Sequence, residues 1–280
     1  KEALARYETG YQRDRSNQER AYEDLRFLAD ADNGQWDSAI KKQRVADGRP
    51  VLTVNKCSQF VRQITGDIRQ LRPAVHIMPV DDNATEDIAV KVLPALLRYI
   101  EMRSDAKGAY FSAADQMVAC GIGHVRVYTE YASETTFNQE IGIDGIDDGV
   151  NVVWDPDALK PTRSDAMWCF VPVDMTTDAA KEKWPDKQWD APLQMPIPDY
   201  LVNWWTDDYV RVTEYWRKVP TKKELALLPN GSILDLTDDE DGAKRADAEA
   251  AGARIEKRDA HKVERYVISA SEILEGPEEW

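Results

Sequence analysis

The chain has 280 residues, 42% of them hydrophobic, which suits a globular protein of one large domain or two modest ones and excludes a disordered segment. Its net charge is −15, from 36 basic and 51 acidic residues. A protein that grips duplex DNA displaces counterions with clustered Lys and Arg, and no such cluster stands out, so a sequence-specific DNA reader is not expected. No apolar run of about 18 residues occurs, so no transmembrane helix is expected. The charged opening KEALARYETGYQRD is not a signal peptide, and with no initiator Met and the ending EGPEEW the chain reads as a fragment. Cys57, Cys120 and Cys169 are far apart and form no CxxC, which argues against a disulfide framework or a zinc site and for a reducing compartment.

In chain order, residues 1–30 are charged and rich in helix formers, with a thin stripe of Tyr7, Tyr11, Tyr22, Leu25 and Leu28. They predict a long helix that docks on something else, with a frayed, solvated terminus as the competing reading. Asp32-Asn33-Gly34 breaks it, and Gly48-Arg49-Pro50 ends the polar stretch that follows. Asn55 can cap the clearest helix, in which Cys57, Phe60, Val61, Ile64, Ile68 and Leu71 share one face. Arg72-Pro73 stops it, and Val75, Ile77 and Val80 suggest a short strand. A second helix is expected over about 85–103, with Ile88, Val92, Leu96, Leu97 and Ile100 inward and Pro94 as a kink. A third begins near Asp105, with Tyr110, Ala113, Ala114, Met117 and Val118 on one face and Gly121 and Gly123 at its end.

The period then changes to two. Val125, Val127, Thr129 and Tyr131 alternate with His124, Arg126, Tyr128 and Glu130, as in a half-buried strand. Ile141 and Ile143, residues 150–154, 167–173 and 209–219 continue the sheet, and 177–184 reads as a short helix. The Trp-rich stretch 185–208 reads as an ordered loop. Pro229-Asn230-Gly231 signals a hairpin between 225–228 and 233–236; an Ala-rich helix over 243–252 and strands within 263–274 follow. Helices first and antiparallel strands afterwards predict an α+β fold.

Chemistry is hard to find in this chain. There is no Gly-Lys pair for a phosphate loop, no GxSxG and no HExxH, and His76, His124 and His261 are scattered. Neither a catalytic constellation nor a metal or cofactor site is expected. Asp144, Asp147 and Asp148, then Asp155 and Asp157, then Asp235 with Asp238 to Asp241 form acidic clusters, none with the spacing of a calcium loop. Solvated loop acid is the plain reading, and an electronegative surface with a purpose is the other.

Four stretches taken together resemble the portal proteins of short-tailed phages. They are Arg49-Pro50-Val51-Leu52-Thr53-Val54-Asn55 running into 60–70 and Arg72-Pro73; Cys120-Gly121-Ile122-Gly123 with Arg126-Val127 and Thr129-Glu130-Tyr131; Trp154-Asp155-Pro156-Asp157-Ala158 with Ser164-Asp165-Ala166 and Cys169-Phe170-Val171; and Val210-Arg211-Val212 with Glu214-Tyr215-Trp216. The match spans roughly 49–217 and is weak outside it. The resemblance implies a non-enzymatic subunit of a ring, twelve to a ring, at one capsid vertex of the virion, assembled in the host cytoplasm. Double-stranded DNA would pass through without sequence-specific binding. The terminase large subunit, head-to-tail adaptors, and capsid and scaffolding proteins would be its partners. Residues 1–123 would be the helical part of the portal wing, 124–220 its antiparallel β-rich part, and 221–280 a hairpin and acidic-loop region leading toward clip and stem. Stem, clip and crown are expected to be absent or incomplete here.

Arg62 and Arg69, seven residues apart on one helix, and Arg72 close behind are the candidate subunit-interface residues, with a solvated arginine face as the rival. Nine Trp and eleven Tyr fit extensive subunit contacts or, equally, an ordinary core. Two other functions stay open on the sequence. One is a head–tail adaptor or other virion structural protein. The other is an acidic carbohydrate-active enzyme using paired acids and the Trp-rich loop.

Overall fold

A computed structural model describes residues 1–30, 33–71, 87–187, 189, 198–206, 208–229, 231–237, 239 and 242–279, with the side chains of 87–91 and 203 left aside. The expected strand at Val75, Ile77 and Val80, and Arg72 with it, lie outside these residues, as does most of the acidic run 238–241. The elements are α1 (Glu2–Ala29), α2 (Ser38–Ala46), α3 (Cys57–Gln70), α4 (Asp87–Arg103), α5 (Ala106–Cys120), β1 (Val125–Tyr131), β2 (Gln139–Gly145), β3 (Val153–Trp154), β4 (Trp168–Thr176), α6 (Thr177–Lys183), β5 (Tyr209–Leu227), β6 (Ile233–Asp235), α7 (Ala243–Ala250), β7 (Arg254–Ile268) and β8 (Ile273–Glu279). Helices come first and antiparallel strands later, so the fold is α+β as the sequence predicts. No described helix is long and apolar enough to cross a membrane.

The chain forms two compact units, residues 1–14 with 152–280 and residues 15–151, and α1 contributes to each. The first is built on a six-stranded sheet in the order β3-β4-β5-β7-β8, with β6 paired to the far end of β5. β5 is one strand of 19 residues that passes straight through Pro220. Proline lacks an N–H, so it is tolerated where a strand has an open edge. At Pro220 the partner is His261 of β7, while the β4 pairing has already ended at Arg217. The expected hairpin at 229–231 is the turn from β5 to β6, closed by Leu228 N–H donating to Ser232 O at 2.9 Å.

Both faces of this sheet are covered. On one, Tyr7 of α1 packs with Phe170, Trp204, Tyr215 and Ile268. Its ring meets Phe170 edge-on at 5.3 Å and Trp204 edge-on at 5.1 Å, and Phe170 stacks on Tyr215 at 4.5 Å. Such pairs add about 0.5–1.5 kcal/mol each beyond the area they bury. Trp204 ends a 3-10 helix, residues 199–204, inside the stretch expected to be loop. On the other face, Ala180 of α6 with Trp184 and Trp189 covers Val210, Val212 and Val267. Four tryptophans, Trp168, Trp184, Trp189 and Trp204, are thus core residues of this unit. Burial also pushes the Cys169 thiol up to about 12, and Cys57, Cys120 and Cys169 are all free.

At the rim of the Tyr7 face the buried Glu264 accepts from Arg217 at 2.8 Å and from the Tyr266 hydroxyl at 3.0 Å, and pairs with Lys262 at 2.9 Å. These contacts, that with Lys262 first, hold its carboxyl down at about 2 against an ordinary 4.5. They favour the charged form, so this stability is present above about pH 4.5 and is lost as pH falls toward 2.

In the second unit, Ala21 of α1 packs with Cys120 and Val150. Asn55 ties three segments together. Its Oδ1 accepts from Cys57 N–H at 3.1 Å, at the start of α3, and from Gln35 Nε2 at 3.0 Å, while its Nδ2 donates to Leu28 O at 2.7 Å, near the end of α1. α5 buries Ala106, Ala109 and Cys120 rather than the expected Tyr110 and Met117, which are exposed. The chain after α5 also runs close against it: a Cβ on Gly123 would stand 2.0 Å from Ala113 O.

Two outcomes test this packing. Gly10→Ala removes a helix-interior glycine and by propensity alone gains about 0.5–1 kcal/mol. Its Cβ, however, would lie 2.5 Å from Val153 Cγ1 and 3.2 Å from Trp154 O, so a net loss of stability is expected in urea denaturation. Glu264→Gln is expected to be less stable than the parent at pH 6 and to match it near pH 2, read from denaturation midpoints across that range.

Candidate assembly surface

Several acidic side chains of the charged clusters are spent on the backbone. Asp155, buried, accepts from the N–H groups of Asp157 and Met167 at 3.1 and 2.9 Å. Asp165 accepts from those of Leu159 and Lys160, and these bonds lower its pKa. Asp239 accepts from Lys244 and Arg245 N–H, at the start of α7. Asp235 is held at about 2, first by the Thr237 hydroxyl and then by that residue's backbone N–H and by Lys223. Acidic side chains of this kind close turns, as Asx residues do. Among the described residues no three His, Cys, Asp or Glu side chains converge as metal ligands would.

The unusual surface is apolar and belongs to the second unit. α3 has the periodicity expected of it, but the face that carries Phe60, Ile64 and Leu71 is turned outward, with Phe60 64% exposed and Leu71 65%. Its one buried residue is Thr65. At 100° per residue Thr65 lies beside Arg69 and Arg62 and away from Phe60. Arg69 is what joins α3 to α5: its guanidinium is 2.6 Å from Asp115 and lies over the Phe111 ring at 5.9 Å. Of the three candidate interface arginines, then, Arg69 is engaged within its own unit, Arg62 is exposed, and Arg72 is outside the described residues.

The β1–β2 ribbon repeats this inversion. Val125, Val127 and Tyr131 are exposed, and the covered side is that of Arg126 and Tyr128. Two contacts choose the face. Tyr128 lies across Gly142, its register partner, where any side chain would collide with the ring. Arg103 of α4 pairs with Glu130 and Glu140 on that same side. α4 itself leaves Leu93, Leu96, Tyr99 and Met102 exposed, while Leu97 and Ile100 are half-buried.

The sequence reading also overlooked α2, a nine-residue helix inside the presumed polar stretch. Its signal was Asp37, whose carboxylate accepts from Ala39 and Ile40 N–H. Lys41 and Lys42 of this helix line a groove together with Arg26 of α1.

Exposed apolar side chains on α3, α4 and β1 are the feature of this unit that a surface for association would use. The comparisons name the class. The model of the phage P22-like portal protein family matches residues 4–280, and the chain belongs to that family. It is also similar to a portal protein of Acyrthosiphon pisum secondary endosymbiont phage 1, 29% identical over 217 residues. That match covers 74% of this chain and 29% of the relative's length.

The Arg69–Asp115 pair is half-exposed, so a double-mutant cycle of Arg69→Ala and Asp115→Ala should give a coupling of about 0.2–1 kcal/mol in urea denaturation, shrinking in high salt.

Proposed function

We propose that this chain is the wing-containing part of a portal subunit, a structural protein without catalytic activity of its own. It sits in a ring at one capsid vertex of the virion and conducts double-stranded DNA during packaging and ejection. In this reading 1–123 and 124–220 are the helical and β-rich parts of the wing, and 221–280 leads toward clip and stem. Twelve subunits close the ring in the host cytoplasm, with capsid and scaffolding proteins as assembly partners. The terminase large subunit and head-to-tail adaptors dock on it in turn.

Family membership carries the reading, and two physical observations support it. The helical unit leaves Phe60, Ile64, Leu71, Leu96 and Met102 open, which a ring neighbour would cover. The net charge of −15 disfavours tight phosphate contacts along a channel through which a polyanion must slide. Arg62 is exposed and serves in this reading as a contact to the neighbouring subunit or its acidic loops. Arg69 reaches the interface only through the α3–α5 pair it holds, and Arg72 follows just after α3.

Negative-stain imaging and mass measurement of the full-length polypeptide test this. Closed rings with an axial hole are expected. Phe60→Asp with Ile64→Asp should abolish the rings at unchanged far-UV circular dichroism, because neither side chain is part of a buried core. A full-length protein that stays monomeric both in solution and in particles would sink the reading.

A further inference from the structure

Compact units of one chain are usually tied by exposed, flexible linkers, and each can then fold by itself. This chain is tied differently. The boundary between the two units falls between Asp14 and Arg15, in the interior of α1, which runs unbroken over 28 residues. The chain crosses back at 151–152, where a 3-10 turn, Gly149–Asn151, leads into β3 with one residue between.

Burial along α1 changes where the unit changes. In the first half, Leu4, Tyr7 and Tyr11 pack in the aromatic layer of the sheet unit, and Arg6 donates to the Tyr215 hydroxyl at 2.6 Å. In the second half, Gln18 and Ala21 are buried. There the Tyr22 hydroxyl accepts from Asn151 Nδ2 at 2.6 Å, and Leu28 O accepts from Asn55 Nδ2 at 2.7 Å. Between the halves, residues 12–17 are exposed apart from the half-buried Asp14. A helical stretch without an apolar side is held by its backbone ladder and by i,i+4 pairs rather than by packing. The pairs here are Gln12 with Glu8 and Arg15 with Glu19.

The two halves are unequal as helix formers. The first holds Thr9 and Gly10 in sequence, and glycine is the poorest interior residue after proline. A segment of that length is marginal alone, because nucleating the first turn costs a factor of about a thousand in equilibrium while propagation costs little. The second half has strong formers, Ala21, Leu25, Leu28 and Ala29 among them, and the two polar ties given above. We propose that α1 is a folding strut. The helical unit nucleates it, and the helix propagates back through the exposed bridge to close the Tyr7 layer. The two units therefore fold in one cooperative transition. The proposal concerns a single chain and does not rest on the ring reading.

The test is urea denaturation of the 280-residue chain with one probe for each unit. Every Trp but Trp36 lies in the sheet unit, so tryptophan fluorescence reports chiefly on it. Site-resolved labelling of the Cys120 thiol, buried in the helical unit, reports on the other. In the parent the two transitions are expected to coincide. The bridge is varied at the exposed Ser16, to Ala, Gly and Pro. Proline is tolerated in the first turn of a helix, so Ser16→Pro leaves the second half able to be helical and cuts its continuity with the first. The tryptophan midpoint is expected to fall from Ser16→Ala through Ser16→Gly to Ser16→Pro and, in the last, to separate from the Cys120 midpoint. Native-state hydrogen exchange supplies a second readout. Amides of 1–14 should exchange about tenfold faster in Ser16→Pro than in Ser16→Ala, with those of 18–29 unchanged. Transitions already separate in the parent overturn the proposal. So do transitions that stay coincident in Ser16→Pro, or exchange over 1–14 that the proline leaves unaltered.

Discussion

The sheet unit depends on β5, which pairs with β4 over 209–217 and with β7 over 213–227 and is packed on both faces. Side chains alternate along it, so Thr213 and Tyr215 serve the Tyr7 face while Val210 and Val212 serve the Trp184 face. A slip of one residue would send every one of them to the wrong side. Register is therefore specified twice, once by each layer. The fifteen paired positions from Thr213–Ile268 to Leu227–Arg254 carry that register the length of β7. The bidentate Arg211–Asp174 pair adds a polar check between β4 and β5.

The helical unit is organised on a different principle. Among the described residues its buried side chains are Gln18, Ala21, Thr65, Ala106, Ala109, Cys120 and Val150, with no aromatic, Leu, Ile or Met among them. Several of its large apolar side chains, Phe60, Ile64, Leu71, Leu96 and Met102 among them, are exposed. Polar clasps fix the segments instead, through Asn55 between α1 and α3, Gln116 to the backbone of Ile146 and Asp147, and Arg103 to the ribbon. Helices that bury so little of their own surface gain stability when their open faces are covered. Such open faces agree with membership of a family named for a viral portal.

Charge is distributed with similar economy. Many aspartates that look like free surface acid in the sequence are consumed by turns, and Glu264 is locked by Lys262, Arg217 and Tyr266. The excess negative charge remains, but it is less freely available to ions than its count implies.

The sequence by itself determined the element types, the α+β order, the hairpin after β5 and the resemblance that the family match bears out. These rest on short-range signals: 3.6- and two-residue periods, a capping Asn55, Gly121 in the left-handed region, and turn residues at 229–231. It did not determine which way an amphipathic element faces. Periodicity says that Phe60 and Ile64, or Val125 and Val127, share a face; it does not say what covers that face. Contacts remote in sequence decided this: Arg69 with Asp115, Arg103 with Glu140, and Gly142 yielding to Tyr128. Trp168 and Trp204 went the other way, into the sheet's core, because Tyr7, more than 160 residues upstream of Phe170, closes that layer over them, while Trp184 and Trp189 belong to the opposite layer. The helix α2 was hidden because it has no buried residue and so carries no core stripe to read.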